Sequence, residues 1–170
     1  SFGAAVVAKY AANNPENVSF IGYQVPLINS ANIPLLSIAK IPLYGDLLAR
    51  GFLVPSVLKR IEEYKGLMSK ELLNHYIGQF EVKDTEKFFK KFFLGNATSN
   101  RLDDHNIIGS NSIPSYFAYA EDDVEIDSQL VEEAIKLYDN PIVKKYSGGH
   151  FFSSGRERKV AQEFIDNIKK

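Results

Sequence analysis

The first stretch of the chain places small and apolar residues as a buried helix does. In FGAAVVAKYAANN the residues at helical spacing are Ala4, Val7, Ala8 and Ala11. The pattern stops before Pro15, whose ring disfavours a helical residue ahead of it. The next run, VSFIGYQVP, is rich in β-branched and aromatic residues, which favours a strand covered on both faces. The pattern therefore predicts a helix, a turn and a strand.

The middle of the chain, over residues 33–106, has a different pattern. The stretches SVLKRIEEYKG, SKELLNHYIGQF and DTEKFFKKFFLGN have helical spacing, are punctuated by Pro, Gly and Ser, and include no convincing strand. We predict a helical insertion over this range. Its last helical stretch would carry an apolar face formed by Phe88, Phe89, Phe92 and Phe93.

Strand and helix patterns alternate again after the insertion. IPSYFAYAEDD predicts a strand, a helix from about Ser128 to Tyr138 follows with Asp127 as its cap, and IVKKYS predicts another strand. Ser154 and Glu157 then have the spacing of a capping box at the start of a last helix. The apolar residues that recur every four positions in that helix are Val160, Phe164 and Ile168.

This alternation predicts the α/β class, with a mainly parallel sheet flanked by helices and with its site at the carboxyl ends of the strands. Residues 1–32 and 107–170 would form that core, and 33–106 would be inserted into it. Three strands are predicted and none precedes the first helix, which would leave sheet edges uncovered. We therefore expect an N-terminal segment or a companion fragment to complete the sheet.

Composition narrows the classes of function. The 170 residues are 45% hydrophobic and 24% charged, which excludes a disordered or low-complexity chain. A net charge of −1 gives no global case for binding nucleic acid or an anionic membrane. The lack of cysteine excludes disulfides, thiolate nucleophiles and Cys-ligated zinc. The lack of cysteine fits both reducing and oxidising compartments, and a cytoplasmic location is the default expectation. No apolar run is long enough to span a bilayer and no signal-peptide pattern opens the chain, so we expect a soluble protein.

Ser1 is the candidate nucleophile. It stands directly before the first predicted helix, with Gly3 two positions on, as in the second half of a G-x-S-x-G turn. That turn needs small neighbours, because the serine holds a strained backbone position with its Oγ pushed out at the end of a strand. Two alternatives stay open: an ordinary N-terminal serine, and an N-terminal nucleophile activated by its own α-amine. A strand would follow the latter, whereas a helix is predicted here.

A serine nucleophile needs a base, and the sequence offers three histidines. His75 lies in a predicted helix and His105 in a predicted polar loop, RLDDHNIIG, where each suits a surface or packing role. His150 follows a predicted strand inside SGGHFF, where two glycines allow a tight turn and let the imidazole project from the loop. His150 is therefore the candidate base, with an ordinary loop histidine as the alternative.

Three carboxylates follow the predicted strand in SYFAYAEDDVEI, and any of them could orient the base: Glu121, Asp122 and Asp123. One alternative is a solvated acidic turn ahead of a helix. Another is a calcium loop, because Asp123, Glu125 and Asp127 alternate as ligands do, although the glycine and distal glutamate of that loop are absent.

These residues together carry a family resemblance. The stretch SFGAAVVAKYAANNPENV strongly resembles the nucleophile elbow and following helix of the α/β-hydrolase fold family, and Ser, Asp and His follow one another in that family's triad order. The resemblance covers nearly the whole chain, is specific over residues 1–26 and roughly 113–152, and is vague between them. It implies the C-terminal part of an α/β-hydrolase fold with residues 33–106 as a helical cap, and a chain that begins at the elbow.

The resemblance also implies a role for each candidate. Ser1 would be the nucleophile, the backbone N–H of Phe2 one oxyanion-hole donor, and His150 the base. Asp123 would be the triad acid, with Asp122 as the second choice, because AEDDV matches the family's G-x-x-D turn with alanine in place of glycine. The second oxyanion donor would lie on the segment outside the chain.

The expected activity is hydrolysis of an ester-like bond through an acyl-enzyme, with no metal or organic cofactor. The apolar stretch IPLLSIAKIPLYGDLLARGFLVP in the predicted cap favours a small or medium apolar acyl substrate over a charged one. The resemblance also allows peptidase, thioesterase, carbon–carbon hydrolase and acyltransferase activity, because a fold does not fix a function. The alternative from another class is a non-catalytic hydrolase-like module that binds an apolar ligand or partner.

Overall fold

The computed structural model describes residues 2–28, 70–79, 101–124, 126–151 and 157–168, together with positions 51, 55, 58, 59, 62, 66, 87 and 91. The chain divides into two compact units, one formed by Ser1–Asn29 with Asn100–Lys170 and the other by Ser30–Ser99. The second boundary, at residue 100, differs from the predicted 107 because residues 102–110 form a helix that packs in the first unit.

The helices and strands alternate along the first unit as the pattern predicts. In chain order they are α1 (Phe2–Asn13), β1 (Ile21–Gln24), α2 (Lys70–Gln79), α3 (Leu102–Ser110), β2 (Ser115–Ala120), α4 (Ser128–Ile135), β3 (Ile142–Tyr146) and α5 (Glu157–Ile168). Of these, α2 lies in the second unit, within the predicted helical stretch SKELLNHYIGQF. The opening helix, turn and strand are confirmed, the turn being a 3-10 helix at Pro15–Asn17.

The described strands form a parallel sheet, as predicted, and their order in it is β1-β2-β3. Ile21 of β1 pairs with Ser115 of β2, and Tyr116 of β2 pairs with Ile142 of β3. All six residues of β2 are buried, which is the pattern of a central strand covered on both faces. Because the strands are parallel, the loops that leave β2 and β3 emerge at one edge of the sheet.

One face of the sheet packs against α3 through aromatic rings. The ring of Tyr23 lies 4.8 Å from that of Phe117 and 5.1 Å from that of His105, measured between centroids. The prediction that His105 lies in a polar loop is wrong, because it belongs to α3 and is 1% exposed. Its Nδ1 is hydrogen-bonded to the Tyr138 hydroxyl at 2.5 Å, and burial lowers the pKa of its imidazole to about 4.

The other face of the sheet packs against α5. The Phe164 ring lies edge-on to Phe20 and Tyr116, with centroids 5.7 Å and 5.4 Å away. Gly22 allows this approach, because a Cβ atom there would lie 2.1 Å from Phe164 Cε2. A second close approach occurs at Gly109 of α3, where a Cβ atom would lie 1.9 Å from the carbonyl oxygen of Leu137.

Helix α3 is also tied to α1 by charge. Asp104 accepts hydrogen bonds from Lys9 Nζ and from Arg101 Nη1, each at 3.1 Å. The Asp104 and Arg101 side chains are largely buried whereas that of Lys9 is about half exposed. A largely buried carboxylate with two cationic partners avoids the cost of an unpaired charge in the interior.

The start of helix α4 agrees with the sequence prediction, and its end does not. Asp127 caps α4 as predicted, its side chain accepting a hydrogen bond from the backbone N–H of Gln129 at 2.9 Å. The helix ends at Ile135 rather than Tyr138, because Tyr138 turns into the core toward His105. The predicted aromatic face of the insertion and Ser154 of the capping box lie outside the described residues.

Candidate active site

The turn after β2 presents Asp123 at the edge of the sheet where the strands end. The Asp123 side chain is 1% exposed. Its Oδ1 accepts a hydrogen bond from the backbone N–H of Ile126 at 3.1 Å, and its Oδ2 lies 3.0 Å from Nδ1 of His150. A carboxylate buried this deeply needs such donors, since an unpartnered charge in the interior is costly.

The loop after β3 brings His150 to the same place. Ser147 and two glycines follow the strand, and both glycines have positive φ, 117° at Gly148 and 65° at Gly149. Glycine adopts such angles without the steric penalty of a side chain. A short 3-10 helix, Gly149–Phe151, then carries His150, whose side chain is 11% exposed. The structure thus brings together two of the predicted site residues, which are 27 positions apart in sequence.

This pair has the geometry of a base and the acid that orients it. When the carboxylate accepts from Nδ1–H, the imidazole is held in one tautomer and Nε2 is the nitrogen that can take a proton. Both residues lie at the carboxyl ends of parallel strands, where open α/β sheets carry their sites. The arrangement can therefore supply a general base with a fixed orientation.

Asp122, the second choice for the acid, contacts the backbone of the histidine loop. Its Oδ1 accepts from the N–H groups of Gly148 at 3.1 Å and Gly149 at 3.0 Å, and its Oδ2 accepts from Gly148 at 3.0 Å. These hydrogen bonds, that from Gly149 first, lower the pKa of the Asp122 carboxyl. Sequence reasoning did not find this role; the signal was the two adjacent acids facing a Gly-Gly turn.

Other candidate residues from the sequence are Ser1, Phe2, His75 and Glu121. Ser1 lies outside the described residues, and the backbone of Phe2 begins α1. His75 is exposed on α2, and Glu121 is exposed and forms an ion pair with Lys145 at 3.3 Å. Within the described part of the chain, no group of three or more His, Asp or Glu side chains is placed to hold a metal ion.

A cavity of about 430 Å³ opens on the α5 face of the sheet. Its lining comes from β1, β2 and α5 and is mostly apolar: Gly22, Tyr23, Gln24, Tyr116, Ala118, Val160, Ala161 and Phe164. Neither Asp123 nor His150 lines it, so this cavity is separate from the Asp123–His150 pair.

Among the described residues, no helix is long and apolar enough to cross a membrane.

Comparison with known proteins identifies the fold. Neither a protein-family model nor a curated protein matches the chain in sequence. Among solved structures, an α/β-hydrolase enzyme from a Medee basin deep-sea metagenome library is similar over 100% of this chain, with TM-score 0.69 and 12% identity. The enol-lactonase of Burkholderia xenovorans LB400 is similar over 100%, with TM-score 0.66 and 12% identity. A deformylase from Pseudomonas putida S16 is similar over 100%, with TM-score 0.61 and 16% identity.

The chain spans less than two thirds of each of these proteins, 63% of the first and 64% of the other two. Their activities differ from one another, so what they share with this chain is architecture. The parallel sheet flanked by helices agrees with that architecture. The chain therefore has the α/β-hydrolase fold over the part of those proteins that it matches.

Proposed function

We propose that this protein is a serine hydrolase that cleaves an ester-like bond through a Ser1–His150–Asp123 triad. The single observation that carries the proposal is the hydrogen bond between His150 Nδ1 and Asp123 Oδ2, 3.0 Å long and largely buried at the strand ends. Asp123, rather than its neighbour Asp122, is the acid in this proposal because it is the one that contacts the imidazole.

The position of α1 supports Ser1 as the nucleophile. Ser1 directly precedes α1 in the sequence, and a short connection joins the end of α1 to β1. In alternating α/β structure a helix runs opposite to the strand that follows it, so the start of α1 belongs at the edge where the strands end. The same edge carries Asp123 and His150.

In the proposed mechanism, Ser1 Oγ attacks the carbonyl carbon while His150 Nε2 takes the hydroxyl proton. Asp123 holds the imidazole through Nδ1 and stabilises the positive charge that forms on it. The backbone N–H of Phe2 donates a hydrogen bond to the oxyanion, aided by the positive end of the α1 dipole. His150 then returns the proton to the leaving oxygen, and water, deprotonated by the same base, releases the acyl group.

The proposed substrate is a small or medium apolar acyl ester. The support is the apolar composition of the predicted cap, residues 33–106, rather than any described pocket. We also propose that a further segment or companion chain completes the sheet beside β1. The solved relatives support this, because about a third of each relative's length has no counterpart in this chain.

A matched pair of variants tests the triad. Asp123→Asn should lower kcat for a short p-nitrophenyl ester by about 10⁴, as a triad acid does when the base loses its oriented tautomer. Asp127→Asn is the control, since it changes the same residue type in the same loop and asparagine still caps a helix. His150→Ala should lose activity while the protein stays folded, with a somewhat lower melting temperature because the buried Asp123 carboxylate loses a partner. Equal kcat in the Asp123→Asn and Asp127→Asn proteins would refute the triad.

A further inference from the structure

The loop that carries His150 needs something to hold it. The loop leaves β3 at Tyr146, and its two glycines have the largest backbone freedom of any residue type. A base must nevertheless be placed within a fraction of an ångström to act, because a misplacement of about 1 Å costs roughly 100-fold in rate. A loop with two glycines directly before His150 would, without further contacts, leave the imidazole too mobile for that precision.

Asp122 meets that need through three hydrogen bonds. Its two carboxylate oxygens accept from two successive backbone N–H groups, of Gly148 and Gly149, at 3.0 to 3.1 Å. Those N–H groups belong to the two residues directly before His150. Hydrogen bonds to an ionised acceptor are about twice as strong as neutral ones. The carboxylate thus fixes the loop immediately upstream of the imidazole.

The residue that holds the histidine loop is adjacent in sequence to the residue that contacts the imidazole. Asp122 and Asp123 are consecutive, so one turn supplies both the carboxylate that holds the backbone of the histidine loop and the one that contacts the imidazole. The backbone N–H of Glu121 also donates to the carbonyl of Tyr146 at 3.1 Å, which ties the two strand ends together just before the loops diverge.

We propose that Asp122 is a positioning residue, which holds the Gly148–Gly149 backbone so that the His150 imidazole stays against Asp123. This inference rests on the proposed function for its catalytic consequence, whereas its structural part concerns the placement of His150 alone. Asp122 contacts the backbone N–H groups of Gly148 and Gly149, and it acts on the imidazole only through this backbone.

Three variants test the proposal: Asp122→Ala, Asp122→Asn and the control Asp127→Ala. Alanine removes all three hydrogen bonds. Asparagine keeps Oδ1, the oxygen that accepts from both glycines, and should therefore rescue much of the loss. Asp127→Ala removes an exposed aspartate of the same loop that also accepts a backbone hydrogen bond, in its case from Gln129 in the first turn of α4. It therefore matches Asp122→Ala both in the change of charge and in the kind of hydrogen bond that is removed.

The first readout is the low-field proton NMR signal of His150 Nδ1–H, identified by its loss in His150→Ala. It should weaken or vanish in Asp122→Ala and persist in Asp122→Asn and Asp127→Ala. The second is ester hydrolysis, where kcat should fall about 10- to 100-fold in Asp122→Ala, less in Asp122→Asn, and not in Asp127→Ala. KM should change little, because the proposal has Asp122 act on the backbone of the histidine loop and not on the substrate.

The two readouts separate failure of the positioning role from failure of the proposed function. An unchanged Nδ1 signal in Asp122→Ala, or an equal loss of signal in Asp127→Ala, would overturn the proposal. If the wild-type protein hydrolyses no ester but its Nδ1 signal still depends on Asp122, then the proposed function fails and the positioning role stands.

Discussion

His105 should make the stability of the protein fall as the pH drops below 6.5. Its imidazole is buried in α3, and burial lowers its pKa from 6.5 to about 4 in the folded state. Asp104 opposes this shift and Arg101 adds to it, but burial is the largest cause. The hydroxyls of Tyr138 and Tyr23, linked at 3.2 Å, are neutral over this range, which lies below the ordinary pKa of tyrosine, and burial raises the pKa of both further.

The direction and size follow from proton linkage. Between pH 6.5 and about 4 the unfolded chain binds a proton at His105 and the folded chain does not, so acidification favours unfolding. The full difference between the two pKa values corresponds to about 3 kcal/mol, since one pKa unit is about 1.4 kcal/mol. Roughly 2 kcal/mol of this should be lost between about pH 7.5 and about pH 5.

The assay is urea unfolding at those two pH values, for the wild type and for His105→Asn. The variant removes the titrating ring but keeps a neutral polar side chain, and every other carboxylate and histidine is common to both proteins. The free energy of unfolding of the wild type should therefore fall by about 2 kcal/mol more than that of the variant. Equal falls in the two proteins would refute the argument that a neutral His105 is held in the core.

Packing around the glycines gives further predictions, each measured by urea unfolding at neutral pH. Gly109→Ala should cost about 2–3 kcal/mol, because the new methyl group meets the rigid Leu137 carbonyl and outweighs the gain in helix propensity. Gly22→Ala should cost about 1–2 kcal/mol, because the Phe164 ring can shift in part. Gly3→Ala, with no described atom within 4 Å of the new Cβ, should be neutral or stabilising by up to about 1 kcal/mol. Equal stability of all three variants would contradict the close approaches.

Much of the fold could be predicted from the sequence, because apolar spacing reports directly on burial. The run SYFAYA predicted a strand, and β2 is a strand that is buried throughout. VSFIGYQVP predicted a strand covered on both faces, and the strand is there, but buried and exposed residues alternate along β1. The prediction for His105 was wrong because a polar run gives no sign of its burial. RLDDHN is a polar run, and its burial depends on partners that are distant in sequence, such as Lys9 for Asp104 and Tyr138 for His105.

The candidate site was predictable in type but not in detail. A serine, an acid after one strand and a histidine after the next follow from chain order and strand ends. Asp122 and Asp123 could not be separated by sequence alone, since adjacent residues of a turn can face either way. Only the register of the histidine loop decides which carboxylate meets Nδ1 of His150 and which meets the backbone of Gly149.

The most direct test of the central claim is covalent labelling of Ser1. The protein is treated with a fluorophosphonate, its intact mass is measured before and after, and any adduct is located by peptide mapping. We predict one adduct, on Ser1, formed by the wild type and by Asp127→Asn but formed far more slowly by His150→Ala. A folded protein that takes no label, or one labelled equally fast without His150, would contradict the proposed serine hydrolase.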